Sequence, residues 1–283
     1  MPASDSDFSA LRADWLGVCR RASEGVQAAL DRHPLTADRA TQTGRGEGGD
    51  MTLVIDRAAE DAIFTELEAL GEPLTAVSEE RGAVAIRGGG PVTVVIDPID
   101  GSLNAKRHVP FYCVSIAVAG GPTMVDVAFG YVLDLVSGEE WWATKGEGAH
   151  LDGKRLPALD PGARLEMLGI ESAHPSLVAA AAPLLAETGA SRLRALGSIA
   201  LTMCAVAGGR LDGMVSLRPA RSVDVAAAQL IIREAGGSVA FPDVGPDGLS
   251  ATLDMAMRSR ALGGASEKIL DGLLALVAPA ASG

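Results

Sequence analysis

Aromatic side chains make up only 4% of this 283-residue chain, with two Tyr, three Trp and five Phe. So few rings leave no obvious platform for stacking bases. Cysteine is also scarce: Cys19, Cys113 and Cys204 are far apart, odd in number and set in apolar surroundings. That excludes a disulfide framework or a zinc cluster, and the three read as reduced core residues. The four histidines (His33, His108, His150, His174) are scattered without metal-ligand spacing. No apolar run approaches the ~18 residues of a membrane span, and the N-terminus lacks a basic-then-apolar leader pattern, so a soluble, cytoplasmic protein is expected. Basic residues are the minority charge, 24 against 36 acids, for a net charge of −12. That field disfavours nucleic-acid backbones and anionic membranes, so neither is an expected partner.

The chain does have apolar content of 48% and charged content of 21%, the globular range. One stretch organises the rest: Val94-Val95-Ile96-Asp97-Pro98-Ile99-Asp100-Gly101-Ser102-Leu103-Asn104. A β-branched run reads as a buried strand ending in a carboxylate, Pro98 stops the ladder, and a second carboxylate follows three positions after the first. Asp100-Gly101-Ser102 makes a tight turn from which a short helix opens. Two carboxylates at a strand mouth, beside a helix N-terminus, suit divalent cations and an anion held together.

Before that stretch, apolar residues from Phe8 to Leu30 recur at helical spacing. Residues 36–49 are polar and Gly-rich and read as a mobile loop. Asp56 is placed to cap a helix whose buried stripe is Ala59, Ile63, Leu67 and Leu70, with Gly71 as its stop. A strand from Leu74 to Val77 then runs into Ser78-Glu79-Glu80. Consecutive strands over 112–119, 125–135 and 140–144 and a hairpin at Asp152-Gly153 give an antiparallel meander. Beyond Pro161, strands and helices alternate to a last helix over 267–277, and the chain from Pro279 onward, 279–283, reads as disordered. One two-lobed unit is expected, with lobes of about 8–160 and 161–278.

The informative acids are Glu79, Glu80, Asp97, Asp100 and Asp224, each at a strand end or helix start rather than on a solvated helix face. Mg²⁺ takes few protein carboxylates and keeps waters and substrate phosphate in its shell. No Gly-x-Ser-x-Gly frame surrounds Ser102, and the Gly-rich segments match neither a P-loop nor a dinucleotide fingerprint.

Asp97-Pro98-Ile99-Asp100-Gly101-Ser102-x-Asn104 resembles the signature of the inositol monophosphatase family of Mg²⁺-dependent phosphatases. Gly49-Asp50-x-Thr52, Ser78-Glu79-Glu80, Val223-Asp224-Val225-Ala226-Ala227 and Glu234-Ala235-Gly236-Gly237 follow in the family's order. The resemblance implies an alternating α-β-α-β-α sandwich with mixed, largely antiparallel sheets, commonly a homodimer. It implies Glu79, Asp97, the Ile99 carbonyl, Asp100 and Asp224 as ligands of two or three Mg²⁺ (or Mn²⁺), with Glu80 supporting them. Asp50 and Ser102 would orient and deprotonate the attacking water, and the Gly101 and Ser102 amides would hold phosphate oxygens, without a phosphoenzyme.

Leu217 stands where inositol-specific relatives often carry Glu. The neighbouring Arg218 and Arg221 resemble the archaeal-type branch, which acts on both fructose 1,6-bisphosphate and inositol monophosphates. Arg218 and Arg221, with Arg194 behind them, are the candidates for a second substrate phosphate, and Gly197-Ser198 for the sugar pocket. The rival readings are a nucleotide 3′-phosphatase or NADP phosphatase on the same metal core, and a non-catalytic binding protein on a phosphatase fold.

Overall fold

The computed structural model describes residues 11–47, 51–245 and 248–277. Asp14 starts the first helix, its carboxylate accepting from the Gly17 amide at 3.0 Å. Helix α1 (Trp15–Asp31) buries Trp15, Val18, Cys19, Ala22, Val26 and Leu30 along one stripe; Phe8 lies outside the described residues. Through residue 47 the following segment is not the loop expected over 36–49 from its composition; residues 48–49 lie outside the described residues. It forms α2 (Thr36–Arg39) and β1 (Gln42–Arg45), and β1 pairs antiparallel with β2 (Met51–Leu53). The buried Arg39 holds it in place, donating to the His33 carbonyl and to the Ala105 carbonyl, each at 2.8 Å.

Helix α3 (Val54–Leu70) ends at Gly71, whose φ of +81° stops it. Asp56 lies inside the first turn of α3 rather than before it, and its Oδ2 accepts from the Leu53 amide at 3.0 Å. Next come β3 (Leu74–Ser78), β4 (Gly82–Ile86), β5 (Thr93–Asp100), α4 (Ser102–Arg107), β6 (Cys113–Ala119), β7 (Val127–Asp134), β8 (Glu140–Thr144), β9 (Gly148–Leu151) and β10 (Lys154–Arg155). They build an eight-stranded sheet in the order β10-β9-β8-β7-β6-β5-β3-β4, antiparallel except between β3 and β5.

A second sheet comes from β11 (Met167–Glu171), β12 (Arg192–Arg194), β13 (Gly213–Ser216), β14 (Ser238–Ala240) and β15 (Leu262–Gly264), in the order β12-β11-β13-β15-β14. Helices α5 (Pro175–Glu187), α6 (Ile199–Ala207), α7 (Ser222–Glu234) and α8 (Glu267–Val277) complete the chain.

Three apolar clusters stack these layers. Ile63 and Leu67 of α3 pack with Val94, Ile96 and Ile116 on one face of the large sheet, joined by α1. The opposite face gives Val95, Cys113 and Val132 to a core shared with Cys204 of α6 and Ala227 of α7. At Gly130 an added Cβ would lie 2.6 Å from the Ala227 carbonyl oxygen, so only glycine lets α7 lie this close to β7. On the far side of the small sheet, Leu168, Val215 and Leu262 meet Leu185 of α5 and Leu273 of α8. The succession is α-β-α-β-α, the expected sandwich. Full burial of one such Leu or Ile stabilises the fold by roughly 1.5–3 kcal/mol. No described helix is long and apolar enough to cross a membrane.

Candidate active site

Strands β3 and β5 run parallel, with Ser78 opposite Ile96, so both deliver their following residues to the same edge. Glu79 and Glu80 leave β3 there, beside Asp97 and Asp100 of β5. Pro98 does not end the ladder, as the sequence suggested. Strand β5 continues to Asp100 across a register shift, with Asp97 opposite Ser115 and Asp100 opposite Cys113. Three steps on β5 thus match two on β6. In a regular strand, residues three apart face opposite sides; the bulge turns both carboxylates to one face, the face covered by α6 and α7.

The fourth acid arrives on α7. Asp224 Oδ2 accepts from the Arg221 amide at 2.7 Å, closing the first turn of the helix. The Arg221 side chain folds back into the same place. Its Nη1 donates to Glu79 Oε1 at 2.6 Å and its Nη2 to Asp224 Oδ1 at 3.0 Å. Burial works against the guanidinium charge, but Asp224, Glu79 and Asp97 outweigh it and raise its pKa.

One arginine does not balance this many acids. Burial pushes the Glu79 carboxyl up to about 7 against the opposing pull of Arg221. Asp100 is likewise pushed up to about 7, by burial and then by Asp224. Asp97 is held well above the usual carboxylate range by burial and by the charges of Glu79, Asp100 and Asp224. Each acid penalises ionisation of the next, the signature of a cluster short of positive charge.

Two cavities adjoin at Arg221. A small one of about 140 Å³ is lined by Asp56, Glu79, Glu80, Asp97, Asp100 and Ser102, together with Ile99, Gly101 and Arg221. A larger one of about 460 Å³ is lined by Asp100, Asn104, Glu171, Gly197, Arg221 and Asp224, among others. A hollow of about 780 Å³ elsewhere, beside Arg20, Tyr131 and Glu140, is bigger, but Glu140 is already paired with Arg20 at 2.7 Å. Chemistry, not volume, marks the site.

The expected site residues fare differently. Asp50 lies outside the described residues. Ser102 and Gly101 line the small cavity. Gly101 has φ of +91°, and an added Cβ would stand 3.0 Å from the Phe111 carbonyl oxygen and 3.1 Å from that of Gly197. Glu80 lines the cavity too and accepts from the Thr52 hydroxyl. Gly197 reaches the large cavity, whereas Ser198 is buried and turned the other way: its Oγ donates to Asp100 Oδ2 at 2.7 Å. It orients a carboxylate and does not line the large cavity. Arg194 and Arg218 are exposed and line neither cavity. Arg221 does line both, but its guanidinium is engaged by Glu79 and Asp224 rather than extended toward a second phosphate.

Three residues belong to the site although the sequence alone assigns them no role in it. Asp56, taken there for a helix cap, lines the carboxylate cavity, and burial pushes it up to about 8. Its Oδ1 is buried without a hydrogen-bond partner among the described residues. Glu171 ends β11, the same apolar-strand-then-acid pattern that singled out Glu79. It accepts from the Thr202 hydroxyl at 2.6 Å and the Gly197 amide at 3.0 Å, fixing the far wall of the large cavity. Asn104 donates through Nδ2 to the carbonyls of Phe111 and Leu196, both at 2.8 Å, tying the central motif to the chain after β12.

Among the described residues, no three His, Cys, Asp or Glu side chains stand ready-made around a metal position; the guanidinium of Arg221 spans two of the acids expected there. The donor set nonetheless fits divalent cations. Glu79, Asp97, Asp100 and Asp224 offer hard oxygens, burial and neighbouring charge raise the pKa of the first three, and the buried Oδ1 of Asp56 is left orphaned beside them.

The sequence profile of the inositol monophosphatase family matches residues 13–279. A fructose-1,6-bisphosphatase/inositol-1-monophosphatase of Methanothermobacter thermautotrophicus is 35% identical over 80% of this chain and 83% of its own. The enzyme of the same description from Archaeoglobus fulgidus is 32% identical over 93% of this chain and 98% of its own. A solved structure described as an inositol monophosphatase–fructose 1,6-bisphosphatase superposes with a TM-score of 0.80 at 26% identity, covering 94% of this chain and all of that one. Matched over nearly its whole length, the chain belongs to the inositol monophosphatase family and is a phosphatase.

Proposed function

We propose that the protein is a Mg²⁺-dependent phosphomonoesterase of small sugar and polyol phosphates, with inositol monophosphate and fructose 1,6-bisphosphate as its substrates. The observation that carries this reading is the cluster of buried, mutually destabilising carboxylates opening beside a 460 Å³ polar cavity. Glu79, Asp97, the Ile99 carbonyl, Asp100 and Asp224 would hold the cations. Divalent cations bound there would polarise phosphoryl oxygens and lower the pKa of water.

The chain's own groups do the rest. Asp56, a buried carboxylate lining the cavity together with Ser102, takes the role the sequence reading gave to Asp50: it accepts the proton of the attacking water, with the Ser102 hydroxyl aligning that water. The Gly101 and Ser102 amides face the transferring group's oxygens. Ser198 and the Ala200 amide fix Asp100. The large cavity receives the alcohol portion, and among the described residues no aromatic ring lines it, which favours a polyol over an adenine.

A panel of inositol 1-phosphate, fructose 1,6-bisphosphate, adenosine 3′,5′-bisphosphate and NADP, assayed for phosphate release, tests the substrate class. Turnover of the first two is the expected result; turnover confined to the nucleotides would contradict it. A homodimer in the cytoplasm completes the proposal, supported by the family's habit and by three buried free cysteines, and light scattering of the purified protein checks the dimer.

A further inference from the structure

Arg221 forms part of the wall between the two cavities, and its side chain is 17% exposed. The oxygens it engages on Glu79 and Asp224 are the ones that a cation would need. A guanidinium and a divalent cation cannot share those oxygens, because both demand the same lone pairs and they repel each other. We propose that Arg221 is a built-in counter-ion: it competes with one divalent cation for Glu79 and Asp224, and that cation's entry turns its guanidinium out into the 460 Å³ cavity, toward the anionic oxygens of the substrate. This rests on the reading of the cluster as a divalent-cation site.

Local structure permits the exchange. The contact that closes the first turn of α7 runs from the Arg221 backbone amide to Asp224 Oδ2 at 2.7 Å. The guanidinium can therefore leave without unwinding the helix. The adjoining cavity gives it room, and a guanidinium released there presents a planar fork of donors suited to phosphate oxygens. The exchange links two events: cation binding is weakened by the resident arginine, and a bound cation delivers that arginine to the substrate.

Calorimetric titration of Mg²⁺ into chelator-treated, full-length protein tests this, comparing the wild type with Arg221→Gln and with Arg210→Gln, which removes an arginine–glutamate pair outside the cluster. Arg221→Gln should bind Mg²⁺ about tenfold more tightly, the scale of one charge-assisted hydrogen bond. Mg²⁺ should also raise its melting temperature by more than it raises that of the wild type. Arg210→Gln should bind as the wild type does. Inorganic phosphate, titrated at saturating Mg²⁺, should bind Arg221→Gln more weakly. Unchanged or weaker Mg²⁺ binding by a folded Arg221→Gln overturns the competition, and unchanged phosphate binding overturns the delivery. If Arg221→Gln does not fold, Arg221→Lys replaces the fork by a single ammonium and should bind Mg²⁺ more tightly than the wild type; equal or weaker binding overturns the proposal. A wild type that binds no divalent cation defeats the underlying reading instead, a result distinct from tight wild-type binding with no gain in the variants.

Discussion

Ser198 Oγ donates to Asp100 Oδ2 at 2.7 Å, and the Ala200 amide meets the same oxygen at 2.6 Å. The two side chains come from segments about a hundred residues apart. The start of α6, which feeds the small sheet, thus aims a carboxylate that the large sheet supplies. Ser198 also accepts from the Leu201 amide at 3.3 Å as the cap of α6. Ser198→Ala should therefore lower stability by about 1 kcal/mol, the worth of a cap. It should also weaken metal affinity or activity by roughly 10- to 100-fold, as loss of a ligand's supporting contact does. Thermal melts and Mg²⁺-dependent rates measure the two effects separately.

Asp97 stands at the centre of the acid cluster, and the other three acids all raise its pKa. Asp97→Asn keeps the Oδ1 acceptor that the Ile99 amide meets at 3.0 Å. Removing a charge from an over-acidic cluster should leave the metal-free protein as stable as the wild type or more so. Turnover should fall by about 10³-fold or more, since a charge that holds the cations is lost. A variant that melts early in the absence of metal would contradict this division of roles.

The pH dependence of stability has a definite sign at Asp56. Its pKa is raised from 3.8 to about 8, so the folded state binds this proton more tightly than the unfolded state does. The associated stability is fully present below pH 3.8 and is lost as pH rises toward 8. Each pKa unit corresponds to about 1.4 kcal/mol. Asp56→Asn lacks this contribution, so the metal-free variant should gain on the wild type as pH is raised from 4 to 8, while its turnover collapses. Denaturant melts across that range, with chelator present, should show the two stabilities diverging; parallel curves would argue against the assignment.

Gly101→Ala would place a methyl group 3.0 Å from the Phe111 carbonyl oxygen at a φ of +91°. The backbone would have to shift where Ser102 enters the cavity. A stability loss on the order of 1–3 kcal/mol is expected, with turnover reduced more than the melting temperature alone would explain. Urea melts and kcat of the folded variant test this.

Much of the site was legible because apolar strands ending in acids are local patterns. Val94–Asp97 and Leu74–Glu79 announce buried strands whose carboxylates emerge at one edge. The bulge at Pro98 was not legible, because proline normally ends a ladder and only the pairing with Ser115 and Cys113 shows that it continues. Arg221 was read as a substrate ligand because no local rule reports that Glu79, 142 residues earlier, would claim its guanidinium. Asp56 sits where helix caps sit, and its second role needed the cavity to be seen. The polar composition of residues 36–49 suggests a loop, but through residue 47 the buried Arg39, bonded to the His33 and Ala105 carbonyls, and the pairing of β1 with β2 give the segment regular structure.

The central claim is that acids from three separate segments, the end of β3, β5 and the start of α7, share divalent cations beside the substrate cavity. Anomalous diffraction from crystals soaked in Mn²⁺ tests it most directly. Peaks at about 2.1 Å from carboxylate oxygens of Asp97 and its neighbours Glu79, Asp100 and Asp224 are the expected result. Ordered Mn²⁺ found only elsewhere on the protein, with this cluster left to Arg221, would contradict it.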